Sequence, residues 1–188
     1  MVSFDIHILV YATLAAPLGK THRARDLLVR GMRTGSSILM LQTLAEFSSV
    51  AIRKAGIGVD EVRTTIDAWR AVLPVQGTED DDLSAALDAV KKHRLAFWDA
   101  MLWAAAQRAG VRHLVTEDLH DGFELAGVRF VSPFDAANNR LIDEILPPDE
   151  SASSSPDEGW FSPAPSPLSL TRLTVSCNWF SPMAVISS

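Results

Sequence analysis

Acidic residues recur in this chain where a strand gives way to a helix or loop. Asp5 follows VSF, Glu46 lies one turn into the helical run after SSILM, Asp99 opens DAMLWAAAQRAG, and Glu117 with Asp118 follows HLVT. Carboxylates brought to one place repel one another and call for a cation. Oxygen donors that leave room for retained water suit Mg2+, with Mn2+ as the alternative. A divalent ion held this way lowers the pKa of a water and neutralises a phosphate. The chemistry such a cluster could perform is metal-dependent phosphodiester hydrolysis by a metal-activated water.

Each acid also has a plainer use. Asp99, ahead of an apolar helix, could serve as its N-cap. Glu46 could share a solvated face with Gln42 and Arg53, because the apolar stripe of that helix runs through Leu41, Leu44, Ala45 and Val50. Glu117, Asp118 and Asp121 in TEDLHDG could be turn residues. Asp5 is harder to place on the surface: Phe4, Ile6, Ile8 and Leu9 surround it in sequence, and an unpaired buried carboxylate is costly.

The elements that must position these acids are legible as an alternation. VSF, SSILM, LPVQ, HLVT and VRFV read as strands, and IHILVYATL as a helical run after the first of them. THRARDLLVRGMR, QTLAEFSSVAIRKAG, DEVRTTIDAWRAV, EDDDLSAALDAVKKH and DAMLWAAAQRAG carry apolar residues at helical spacing. Thr78 with Asp81 fits a capping box, EDDD supplies an acidic first turn, and Gly56 and Gly110 sit where glycines stop helices. Strands alternating with helices imply right-handed crossovers and a mostly parallel sheet covered on both faces. The expected class is α/β, a three-layer α/β/α domain, in which ligands sit at the carboxyl ends of the strands. The acids named above fall at that edge.

Composition narrows the partners. The chain has 188 residues and a formal charge of −6, which excludes a protein gripping nucleic acid by bulk positive charge. Its one cysteine, Cys177, cannot form an internal disulfide, and His22, His113 and His120 lack zinc-ligand spacing. The N-terminal apolar stretch has no basic region before it and contains Asp5 and His7, unlike a secretion signal, and no run has the roughly 18 apolar residues of a membrane helix. A cytoplasmic protein with no membrane contact is expected. Composition shifts near Pro147 to Pro- and Ser-rich stretches such as SASSSPDEGW and FSPAPSPLSL. The expected organisation is a domain over 1–146 and a disordered tail over 147–188.

FDIHILVYA resembles the opening segment of PIN-domain proteins, QTLAEF their second-acid segment, and FWDAMLWAAA followed by LVTEDLHDG and GVRFVSPF their third and fourth, in family order over residues 2 to about 135. The likeness is nearest to bacterial VapC-type toxins of toxin–antitoxin pairs, Mg2+-dependent ribonucleases with a PIN-like fold. The resemblance implies that Asp5, Asp99 and Asp118 hold metal, with Glu46 completing an acidic quartet and Glu117 a secondary candidate. It also implies an RNA substrate, a cognate antitoxin and a homodimer. Where the family commonly has Thr then Asn after its first Asp, this chain has Ile6 and His7. His7 can donate to a carboxylate whereas the side chain of Ile6 cannot hydrogen-bond, so lowered activity, a changed metal preference or a purely structural histidine all follow as readings.

RNA contacts require local charge and stacking surface. Arg53, at the end of the helix carrying Glu46, and Arg94, shortly before Asp99, are the candidates, while Lys91 and Lys92 fit a helix C-terminus and Trp98 is expected in the core. A different class of function, a catalytically weakened PIN-like module that binds RNA or protein, is motivated by Ile6 and His7. A phosphate-receiver domain fits less well, because the first strand lacks paired acids.

Overall fold

The computed structural model describes residues 1–14 and 16–149. The expectation for residues 150–188 lies outside the described residues. Residues 147–149 are described, and Arg33 holds them: it donates to the Pro147 carbonyl at 2.6 Å and pairs with Asp149 at 2.6 Å.

The chain runs β1 (Val2–Phe4), α1 (Ile6–Thr13), α2 (Leu18–Thr34), β2 (Ser37–Met40), α3 (Leu41–Arg53), α4 (Val59–Val72), β3 (Val75–Gln76), α5 (Asp80–His93), α6 (Phe97–Arg108), β4 (His113–Val115), β5 (Glu124–Leu125), β6 (Val128–Val131) and α7 (Asn139–Ile145), with a short 3-10 turn at Ala136–Asn138. The sheet order is β3-β2-β1-β4-β6-β5. All neighbours are parallel except β5 and β6. This is the expected α/β class. Because β1 lies between β2 and β4, the chain leaving β1 and the chain leaving β4 emerge side by side.

Strand alternation divides the core into two layers. Leu39, Val115 and Val131 face a cluster with Ile8 and Leu9 of α1, Leu27 and Leu28 of α2, Leu44 and Phe47 of α3, Trp69 of α4 and Ile142 of α7. Ile38, Met40, Leu114 and Phe130 face Ala86 and Ala89 of α5 and the middle of α6. β2 is buried at all four positions and is apolar from Ile38 to Met40, as a strand covered on both faces requires, whereas β6 leaves Arg129 exposed. Gly31 lets α2 lie close on the sheet: a Cβ there would meet Ser37 Oγ at 2.8 Å and the Phe4 ring at 2.9 Å. A ring carbon that close to a new methyl leaves no room for alanine without a shift.

Several local expectations shift. The capping box of α5 is formed by Glu79 and Asp82, one residue beyond Thr78 and Asp81. α6 is not amphipathic but buried from Ala100 through Ala106, because it is wedged between the sheet and α5, and Trp103 Nε1 satisfies the Leu125 carbonyl of β5 at 3.0 Å. β5 and α7 are additions. The β5–β6 hairpin turns through Ala126 and Gly127, with φ of 47° and 82°, a two-residue loop that wants positive φ at both positions. Alanine there carries no turn signal, and α7 is only seven residues long.

Candidate metal centre

Asp5 stands at the junction of β1 and α1. Its backbone is extended, its Oδ1 accepts the Ile6 N–H at 2.6 Å, and it caps α1. Oδ2 accepts the buried Thr116 hydroxyl at 2.8 Å, and Thr116 Oγ1 in turn accepts the Asp118 N–H at 3.2 Å. Thr116 therefore ties the ends of β1 and β4 together. The carboxylate is buried, 7% exposed, as its apolar sequence neighbours led one to expect.

His7, the second residue of α1, completes a group with Asp5 and Asp118. Its Nδ1 lies 2.9 Å from Asp118 Oδ2 and 3.6 Å from Asp5 Oδ2, and the ligand atoms of the three residues fall within 4.8 Å of one another. Asp118 Oδ2 lies at ion-pair distance from the buried Nδ1, which makes no hydrogen bond of ordinary geometry among the described residues. Burial disfavours the imidazolium, but the carboxylates of Asp118 and Asp5 outweigh it and His7 is pushed up to about 10.

Asp99 and Glu46 border this group. Asp99 is the third residue of α6, inside its first turn, and α6 has no side-chain cap at its N-terminus, so the N-cap alternative falls. Burial, then the charges of Asp5, Asp118 and Glu46, push its carboxyl up to about 6, with His7 opposing. Glu46 is likewise raised, first by burial and, after the lowering effect of the Gln42 bond, by the charge of Asp5. Gln42 Nε2 donates to Glu46 Oε1 at 2.8 Å and to the Trp98 carbonyl at 2.9 Å. It thereby links α3 to the start of α6. Sequence reading placed Gln42 on a solvated face and did not single it out; only the α3–α6 juxtaposition gives it a role.

The remaining candidates lie elsewhere. Glu117 is held by the Tyr11 hydroxyl through Oε1 and by Lys20 Nζ through Oε2 at 2.5 Å, with Lys20 over the rings of Tyr11 and Phe134 at 4.8 and 4.9 Å. Arg53 is exposed at the end of α3, seven residues and so about 10 Å of helix axis beyond Glu46. Arg94 is exposed, ends α5 in the left-handed conformation, and precedes Asp99 by five residues. Trp98 is not in the core: it is 55% exposed beside the 37% exposed Phe97, their rings meeting edge-on at 5.2 Å.

The donor set fits a divalent cation. Donors sharing one ion at about 2.1 Å stand about 3 Å apart when adjacent in an octahedron, and the 2.9 and 3.6 Å separations around His7 Nδ1 are of that size. The surplus of carboxylates and the orphaned nitrogen would both be relieved by it.

A three-layer α/β domain with acids gathered at the carboxyl edge of its central strands is the class that fold and site define. The fold is that of the VapC-type, PIN-domain toxins. VapC20 of Mycobacterium tuberculosis, a toxin that cleaves the sarcin–ricin loop, is 17% identical with a TM-score of 0.50, the match covering 63% of this chain and 90% of that one. A toxin–antitoxin complex from Klebsiella pneumoniae is 19% identical with a TM-score of 0.53, covering 72% and 99%. FitAcB from Neisseria gonorrhoeae is 14% identical with a TM-score of 0.51, covering 71% and 99%. No protein-family model and no curated protein matches the sequence. Among the described residues no helix is long and apolar enough to cross a membrane.

Proposed function

We propose that this chain is a metal-dependent endoribonuclease, the toxin of a cytoplasmic toxin–antitoxin pair. The observation that carries the reading is the meeting of Asp5, His7 and Asp118, from two strand ends far apart in sequence, in ligand-like spacing. Their fold is shared with a toxin described as cleaving the sarcin–ricin loop. A bound divalent ion, Mg2+ or Mn2+, would supply an activated water and charge neutralisation at the phosphate. Asp5 and Asp118 would hold it, oriented by Thr116, with Asp99 and Glu46 completing the acidic quartet from α6 and α3. Gln42 keeps the Glu46 carboxylate aimed by occupying its Oε1. Glu117 acts at one remove, fixing the loop that carries Asp118 through Tyr11 and Lys20.

The exposed Trp98 and Phe97, beside Asp99 and near Arg94, offer stacking surface and charge for an unpaired base. Arg53 is the weaker contact on distance. An antitoxin could close the site by placing an Arg or Lys among the carboxylates. Such a partner accords with the neighbour from Klebsiella pneumoniae, solved as a toxin–antitoxin complex, and a homodimer completes the reading. The test is cleavage of total RNA by the purified full chain with Mg2+ or Mn2+. Cleavage should cease in excess EDTA and fall by at least about 100-fold in Asp99→Ala. Equal cleavage in EDTA overturns the mechanism.

A further inference from the structure

The site departs from an all-oxygen one at His7, and the departure bears on which ion it takes. Nδ1 is buried, has no hydrogen-bond partner among the described residues, and lies 2.9 Å from Asp118 Oδ2 and 3.6 Å from Asp5 Oδ2. The ring is also held in place. It is carried on the first turn of a helix capped by Asp5, and it packs at 5.8 Å on Tyr11, whose hydroxyl is anchored on Glu117. A side chain whose rotamer is already set loses little freedom on taking a ligand.

Resting on the metal-centre reading above, we infer that His7 is itself a ligand through Nδ1, and that this imidazole makes the site selective for a first-row transition ion such as Mn2+ over Mg2+. Mg2+ is small and hard, dehydrates reluctantly and takes oxygen donors. Imidazole nitrogen suits the transition ions, whose affinity for mixed nitrogen and oxygen sites exceeds that of the hard alkaline-earth ions. Ligation takes the neutral imidazole, so the incoming ion displaces the Nδ1 proton to solvent. Two carboxylates and one imidazole then leave several positions open for water and a phosphate oxygen, so ligation by His7 is compatible with hydrolysis. A histidine serving only as counter-ion to Asp5 and Asp118 would act differently: its removal would change affinity for both ions alike and would leave no nitrogen at the metal.

The experiment uses the full chain freed of metal with a chelator and then dialysed, as wild type, His7→Asn and His7→Gln, with melting curves confirming that each variant is folded. Mn2+ and Mg2+ are titrated separately by calorimetry, and the Mn2+-loaded forms are examined by electron spin-echo spectroscopy for nitrogen modulation. Wild type should bind Mn2+ at least about ten-fold more tightly than Mg2+ and show imidazole modulation. Both variants should lose the modulation and bring the two affinities to within about three-fold. Modulation that is absent in wild type or persists in the variants, or a preference unchanged by them, overturns the role of His7. Failure of wild type to bind either ion overturns the metal-centre reading itself, which separates the two failures.

Discussion

Two carboxylates of this molecule, the buried Asp82 and the half-buried Asp99, meet opposite surroundings. Asp82, 3% exposed, accepts Arg108 Nε and Nη2 at 2.9 Å each and the Glu79 N–H at 2.8 Å. The Arg108 guanidinium holds its carboxyl below the usual range. Asp99 has no hydrogen bond or ion pair among the described residues and sits in the field of Asp5, Asp118 and Glu46, which together with burial pushes it up to about 6. A buried charge that is matched contributes to the fold. One left mismatched among like charges marks a place where a ligand is expected to complete the site. The α5–α6 seam is of the first kind and the carboxyl edge of the sheet is of the second.

The sharpest way to break this contrast is to neutralise one member of each region. Asp5→Asn keeps the α1 N-cap through its one amide oxygen and turns its NH2 toward the Thr116 hydroxyl, which can accept where it had donated. The melting temperature should therefore hold while RNA cleavage falls by at least about 100-fold. Asp82→Ala should do the reverse. It removes the reciprocal cap of α5 and both Arg108 bonds, lowering stability by about 1–2 kcal/mol and Tm by roughly 3–6 °C, with cleavage per folded molecule unchanged. A large loss of stability in the first, or of activity in the second, would erase the distinction.

A smaller effect, read by scanning calorimetry across pH in chelator, sharpens it. Asp99 has a folded pKa of about 6, above its unfolded value of about 3.9. Its contribution to stability is therefore full below the unfolded value and is lost as pH rises through about 6. His7, raised to about 10, adds a contribution present below about 6.5 and lost as pH rises toward 10. Asp82 is depressed, so its contribution holds above about 3.9 and is lost as pH falls through its lower folded value. Metal-free protein should gain stability between pH 7 and 5, and Asp99→Asn should flatten that gain. The smallest effect is expected from Gln42→Ala, which frees Glu46 without touching the Asp5–His7–Asp118 group: cleavage should drop about ten-fold with Tm little changed.

How far the fold could be read depended on how local its signals are. β1, β2 and β6 and helices α3, α4 and α5 follow from runs and periods within a dozen residues, and their observed bounds lie close to the expected ones. β5 escaped because two residues cannot display alternation and Ala126 lacks the usual turn chemistry. Trp98 was misplaced because an aromatic ahead of an apolar helix is ordinarily covered, whereas here α6 begins at the rim and its first turn emerges beside the acids. In the site, Asp5, Glu46, Asp99 and Asp118 could each be singled out at a strand or helix boundary. Position after a strand did not separate the adjacent Glu117 and Asp118; only the family resemblance ranked Asp118 first and Glu117 as a secondary candidate. Their side chains diverge, one to Tyr11 and Lys20, the other to His7.

The alternation of short apolar strands with helices, and so the α/β class and the supply of acids to one edge, was determined by the sequence alone, because periodicity dictates which faces must be buried. Which acid meets which partner was decided by the tertiary structure. Asp5 and Thr116 are 111 residues apart and meet only because β1 lies beside β4, and Tyr11 and Glu117, 106 apart, meet for the same reason. Strand order is a property of the whole core, and no local pattern of residues encodes it.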